Sequence, residues 1–207
     1  MTDNSEPEQH PHWEPLLYPF PLGAALVLRV WQLGAFITGD ELTWTFRAGK
    51  LSQALTEGRL AATHGKPEGT VTLLAGAVGL LLRRLVEGAH PVSRWQDLAG
   101  LMTFNPQDTA HLRLIAAFWP TCALAVALLN ALVVVLLAFL VARLWGARAG
   151  LFAGLLLSAS PHYLALSRIL APDALTSGLA LGAVLALLWA LRKPARWGAF
   201  LLSGALA

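Results

Sequence analysis

The sequence predicts an all-α integral membrane protein with four transmembrane helices, a truncated fifth, and amphipathic juxtamembrane helices on the outer face. Three observations predict it. The 207-residue chain is 56% hydrophobic and 13% charged, with a mean hydropathy of +0.58, whereas a soluble domain needs about a quarter of its residues charged. Uncharged runs long enough to cross a hydrocarbon core of about 30 Å recur along the chain. Arg and Lys bracket those runs, where membrane proteins concentrate them. A net charge of +3 with a pI near 9.5 therefore reflects membrane topology, and nucleic acid is excluded as a partner. The single cysteine, Cys122, lies in an apolar run; it has no second thiol for a disulfide or metal site and reads as a small core residue.

Residues 1–14 hold Asp3, Glu6, Glu8 and Glu14 with Pro7 and Pro11, and none of the Lys or Arg that opens a secretory signal. They read as a disordered cytoplasmic tail, and 15–207 as an incomplete transmembrane domain. From Pro15 to Gly39 the only charge is Arg29, which gives span 1 with Arg29 snorkelling or facing other helices. Leu114–Ala142, Ala149–Ser167 and Ala174–Leu191 carry no charge and give spans 2, 3 and 4. Pro120 and Asn130 fall in span 2, where neighbouring helices satisfy such groups; its surplus length predicts tilt or a helical extension at one end. A last run begins at Trp197 and stops after 11 residues, about 16 Å of helix. It is the truncated fifth span, so further carboxy-terminal spans or partner subunits are expected.

Thr70–Leu82 is apolar but only 13 residues long before Arg83 and Arg84, or about 20 Å against 30 Å. It reads as interfacial or re-entrant. With four spans and a cytoplasmic amino terminus, the short turns Arg143–Arg148 and Arg192–Arg196 are both cytoplasmic and basic, as the positive-inside rule requires. Were Thr70–Leu82 to span, the later turns would invert. Residues 39–112 form the first extracytoplasmic loop, and a connection of that length is functional more often than idle. Within it Trp44, Ala48, Leu51 and Leu55 recur at helical spacing from Glu41 to about Glu57, with Gly58 as the stop. Arg47, Lys50 and Glu57 occupy the other face, so this helix is expected to lie flat on the membrane with Trp44 at headgroup level. His90–His111 reads as an irregular loop with one short helix.

Asp40 and Glu41 follow span 1, and Pro172-Asp173 opens span 4. Local chemistry offers a plain role for each aspartate, as the cap of the helix starting at Glu41 and as a first-turn acid. The four-span topology nevertheless brings Asp40 and Asp173 out on one face. Two carboxylates meeting there can hold a divalent cation, or one can act as general base while the other shifts its pKa. Arg168 and Lys66 are cations near those carboxylates; either can pair with anionic membrane lipid, and together they suit a lipid phosphate or diphosphate. His64 is a loop histidine open to a ligand, base or idle role, and His90, His111 and His162 have no partner at metal-site spacing. No Gly-rich phosphate loop and no nucleophile elbow is present, which argues against a soluble nucleotide cofactor.

Four stretches resemble the dolichyl-phosphate-mannose protein mannosyltransferase-like membrane glycosyltransferases of the GT-C fold and their bacterial relatives, including lipid A aminoarabinose transferases. They are Arg29-Val-Trp-Gln-Leu-Gly with Gly39-Asp40-Glu41, Leu60-Ala-Ala-Thr-His64-Gly-Lys66-Pro-Glu-Gly-Thr-Val-Thr, Arg143-Leu-Trp-Gly, and Ser167-Arg168-Ile-Leu-Ala-Pro172-Asp173. The resemblance implies transfer of a sugar, with inversion, from a polyprenyl-phosphate-linked donor to an acceptor on the extracytoplasmic face of a bacterial plasma membrane. It implies that Asp40 is the catalytic carboxylate, as base or metal ligand, with Glu41 beside it and Asp173 as partner. Lys66 and Arg168, with His64, are implied to bind the carrier phosphate. The sequence departs from the aminoarabinose transferases after the Asp-Glu pair, where Thr43, Trp44 and Thr45 precede the nearest arginine, Arg47. The rival reading is a non-catalytic transporter fragment, assembly subunit or inactive remnant, in which Asp40 and Asp173 only serve helix ends.

Overall fold

The computed structural model describes residues 19–31, 33, 37–59, 69–87, 95–101, 103–192 and 197–207. Regular structure among them is helical throughout: α1 (Pro19–Val30), α2 (Gly39–Thr56), α3 (Thr70–Glu87), α4 (Trp95–Gly100), α5 (Thr109–Trp145), α6 (Ala147–Ala159), α7 (Pro161–Arg168), α8 (Asp173–Arg192) and α9 (Trp197–Leu206).

α5 is the axis. The Asp108 carboxylate accepts from the Ala110 N–H at 2.8 Å to cap its start, and a Leu/Ala/Val-rich run then carries it through Pro120 for 37 residues, about 55 Å. This is the helical extension expected of span 2. Its buried residues, among them Ile115, Phe118, Cys122, Val126, Val133, Leu137 and Leu140, form the spine of the core. Cys122 is a buried free cysteine, as its setting suggested. Gly146 then adopts φ +96°, a region that favours glycine, and turns α5 directly into α6.

α5 and α8 are each long and apolar enough to cross a membrane; α6 and α7 qualify together, bent by 64° at their junction. The bend falls within the run expected as span 3. Pro161 has no N–H to continue the ladder and drives Ser160 into extended backbone, with ψ 116°. Of span 1 the structure describes α1, a helix of 12 residues and about 18 Å; residues 15–18, 32 and 34–36 of the expected span lie outside the described residues. Thr38 takes the extended conformation of an N-cap, with φ −90° and ψ 156°, so no helix can run on into α2. Among the described residues, two helices, or three spans if the bent pair is one, are long and apolar enough to cross a membrane.

Contacts fix the direction of each helix. Gly178 faces Val133 and Gly182 faces Leu137, so α8 runs parallel to α5 with Asp173 about level with Leu128. At the far end an Arg192 Nη1–H donates to the Leu144 carbonyl and the guanidinium covers the Trp145 ring. The ends of α5 and α8, each carrying an arginine, therefore meet at one end of the bundle. α1 runs with α6 and α7 in the opposite sense: Pro21 lies against Gly154 and accepts from the Ser158 hydroxyl, and the Trp31 carbonyl accepts from Arg168. Both strands of this pair finish where α8 begins.

α3 packs antiparallel to the early part of α5, with Gly76 at Cys122, Gly79 at Thr121, and Arg83 donating to the Ala117 carbonyl at 2.7 Å. It lies beyond the level of Asp173. One face of α3 buries Thr72, Gly76, Ala77, Gly79 and Leu80, and the other exposes Val71, Leu74, Val78, Leu82 and Leu85, the two-faced pattern of a helix resting on lipid. α2 is readable as expected at its carboxy-terminal stop, where Gly58 has φ +67°. Its buried face only partly follows the apolar stripe: Glu41, Thr45, Ala48 and Ser52 are buried, whereas Trp44, Leu51 and Leu55 are half-buried.

Small residues let the spans approach. A Cβ on Gly150 would sit 2.5 Å from the Ala138 carbonyl oxygen, and one on Gly154 would sit 2.8 Å from Pro21 and 2.9 Å from Ala138. This Gly-x-x-x-Gly spacing is how membrane helices gain contact without a hydrophobic drive. Gly154→Leu is expected to lower stability by about 1–3 kcal/mol, read as a reduced melting temperature in detergent, because α1 and α5 close on both sides of it. An unchanged melting temperature contradicts this packing.

Candidate functional site

The site is built at the end of the bundle where α1 and α7 finish and α2 and α8 begin. Thr38 is the N-cap of α2: its hydroxyl accepts from the Glu41 N–H at 3.4 Å, and the Glu41 carboxylate accepts from the Thr38 N–H at 2.8 Å. This reciprocal capping box corrects the plain role offered for Asp40. The cap is Thr38, and Asp40 stands exposed in the first turn.

Glu41 is 1% exposed. Besides Thr38, its carboxylate accepts from the Trp119 indole N–H of α5 at 2.9 Å and from the Leu170 backbone N–H, between α7 and α8, at 2.8 Å. Three N–H donors from three parts of the chain offset the cost of burying the group. One side chain thereby locks α2, α5 and the α7–α8 turn in register.

The turn carries the second carboxylate. Asp173 is the first residue of α8 and is exposed. Pro172, just before it, meets Trp44 of α2 across Gly69: a Cβ on Gly69 would lie 2.7 and 2.9 Å from the Trp44 ring and 3.1 Å from Pro172. Gly69 is at φ +72°, so both its backbone and its surroundings demand glycine. It is also the exit of the segment containing His64 and Lys66. Those two residues lie outside the described residues; Gly69 itself lies beside Pro172. Arg168 donates from Nη2 to the Trp31 carbonyl at 2.5 Å and so ties the end of α7 to the end of α1.

Asp40, Asp173 and Arg168 therefore lie on elements joined at one end of the bundle, the first through Glu41 and Leu170, the second through Pro172 and Trp44. Among the described residues no group of three or more His, Cys, Asp or Glu side chains could hold a metal ion.

Two participants escaped sequence reasoning. Trp119 lies within the span 2 run and was one apolar residue among many, although a buried indole N–H requires an acceptor. The Leu170 N–H is a backbone donor that no side-chain pattern announces.

Residues 115–207, from α5 to the last residue, match the family model described as dolichyl-phosphate-mannose-protein mannosyltransferase. The match includes Arg168 and Asp173 and begins after Asp40 and Glu41. Neither the curated proteins nor the solved structures compared with the chain give a match.

Proposed function

From the likeness of residues 115–207 to that mannosyltransferase family, we propose that this chain transfers a sugar from a polyprenyl-phosphate-linked donor to an acceptor at the extracytoplasmic face of a membrane. The observation that supports the reading is the link between the start of α2 and the α7–α8 turn, where the Glu41 carboxylate accepts from the Leu170 N–H, with Asp40 next to Glu41 and Asp173 at the start of α8. Asp40 is the general base. It takes the proton of the acceptor hydroxyl as that oxygen bonds to the anomeric carbon, while the bond from that carbon to the carrier phosphate breaks and the configuration inverts. Asp173 is its partner, and a second negative charge nearby raises the proton affinity of the base. Arg168, with Lys66 and His64 from the adjoining loop, holds the departing phosphate. Glu41 is better suited to positioning than to proton transfer, because its oxygens are taken up by three N–H donors.

A transfer assay with the full chain in membranes tests this. Sugar is expected to pass from a polyprenyl-phosphate donor and not from a nucleotide sugar. Asp173→Asn is expected to lower the rate by on the order of 10- to 100-fold with insertion intact. Transfer that persists with the nucleotide sugar alone, or a variant as active as the parent, removes the assignment.

A further inference from the structure

Among the described residues two charged side chains are buried, Glu41 and Arg29. Glu41 has its three donors, but Arg29 is not matched in the same way. It is 0% exposed, and its Nη1 donates to the Ala25 carbonyl of its own helix at 3.3 Å. Its Nε and Nη2 have no hydrogen-bond partner. The guanidinium covers the Tyr163 ring of α7 at 5.4 Å. The neutral polar groups nearby are engaged with one another. The Tyr163 hydroxyl donates to the Asn130 carbonyl oxygen at 3.4 Å, and the Asn130 amide donates to the Val126 and Ser167 carbonyls at 3.1 and 3.4 Å. The ion pairs of the described residues join Glu57 to Arg59, Glu87 to Arg83 and Asp108 to His111, so no carboxylate among them neutralises Arg29. A buried guanidinium with two idle donors is costly to keep, and it lies two residues before Trp31, whose carbonyl holds Arg168.

We propose that Arg29 binds a phosphate group carried by a lipid, which reaches it sideways from the membrane by parting α1 from α7. The planar fork of donors suits a phosphate. The lipid source follows from the surroundings. The guanidinium is shut off from water, and on the outer face of the same helix turn Val27, Val30 and Trp31 are exposed, an apolar surface along which an acyl or isoprenoid chain can lie. This rests on the proposed transfer reaction only for the identity of the lipid as the polyprenyl carrier.

The test uses the full chain in detergent, with melting temperature and equilibrium binding measured for three probes: farnesyl phosphate, phosphatidic acid and inorganic phosphate. Farnesyl phosphate is expected to bind and stabilise the parent, and Arg29→Met to weaken that binding by about 10- to 100-fold, the worth of charge-assisted hydrogen bonds. Without any probe, Arg29→Met should melt no lower than the parent, because it removes a buried cation without a counter-charge. Arg29→Lys keeps the charge but not the fork and should fall between. A variant that melts lower while binding farnesyl phosphate as the parent does shows a purely structural arginine and overturns the proposal. Inorganic phosphate binding as tightly as either lipid overturns the lateral lipid route. If phosphatidic acid alone binds, and loses its affinity in Arg29→Met, the Arg29 site stands and the polyprenyl-donor reading falls.

Discussion

Replacing Asp40 with asparagine lowers the rate of sugar transfer by on the order of 100- to 10,000-fold, the usual contribution of a general base. It does so without loss of stability. Asp40 is exposed, and the N-cap of its helix is made by Thr38 and Glu41, so the change should shift folding by no more than about 0.5 kcal/mol. A melting curve and a transfer assay on the same preparation check both halves. Had Asp40 been the helix cap, the pattern would reverse, with stability falling by about 1 kcal/mol and transfer persisting in the folded fraction.

Glu41→Ala gives the opposite signature. It strands the Trp119 indole N–H and the Leu170 N–H in the interior, each at a cost of about 1–3 kcal/mol, so a loss of about 2–6 kcal/mol is expected by chemical or thermal unfolding. Trp119→Phe in the Glu41→Ala background should recover part of it, because the orphaned indole donor is gone, and the non-additivity of the two changes measures the contact. Loss of transfer should follow loss of folded protein. A Glu41→Ala protein with an unchanged melting curve and no activity would instead make Glu41 a reacting group.

Charge and length made much of this legible beforehand. The uncharged runs named α5, α6–α7 and α8, and the basic turns grouped Arg143 with Arg192, which the structure brings to one end through Leu144 and Trp145. Thr70–Leu82 was set apart by shortness alone. The helix there continues through Arg83 to Glu87 because Arg83 finds Glu87, Thr121 and the Ala117 carbonyl, partners that hydropathy does not register. The break at Pro161 was written in the sequence and passed over within an uncharged run. The apolar period of α2 located the helix but contributed only Ala48 to its inner face, because that face meets the glycine of α3 and the indole N–H of α5 and accordingly uses Glu41, Thr45, Ala48 and Ser52. At the site, the pairing of Asp40 with Asp173 came from topology. The link between α2 and the α7–α8 turn, the buried Glu41 carboxylate reaching the Leu170 N–H across the bundle, depends on three-dimensional register and could not be read from spacing.

The shared opening is tested most directly by the sidedness of its residues. Cys122 is the only cysteine, so Cys122→Ala gives a clean background for Asp40→Cys, Asp173→Cys and, at the opposite end, Trp145→Cys, a position 57% exposed. Intact cells are treated with a membrane-impermeant maleimide. Labelling of positions 40 and 173 from outside, with position 145 reacting only after the membrane is opened, is the result required by a common extracytoplasmic site. Labelling of 40 and 173 from opposite sides contradicts it.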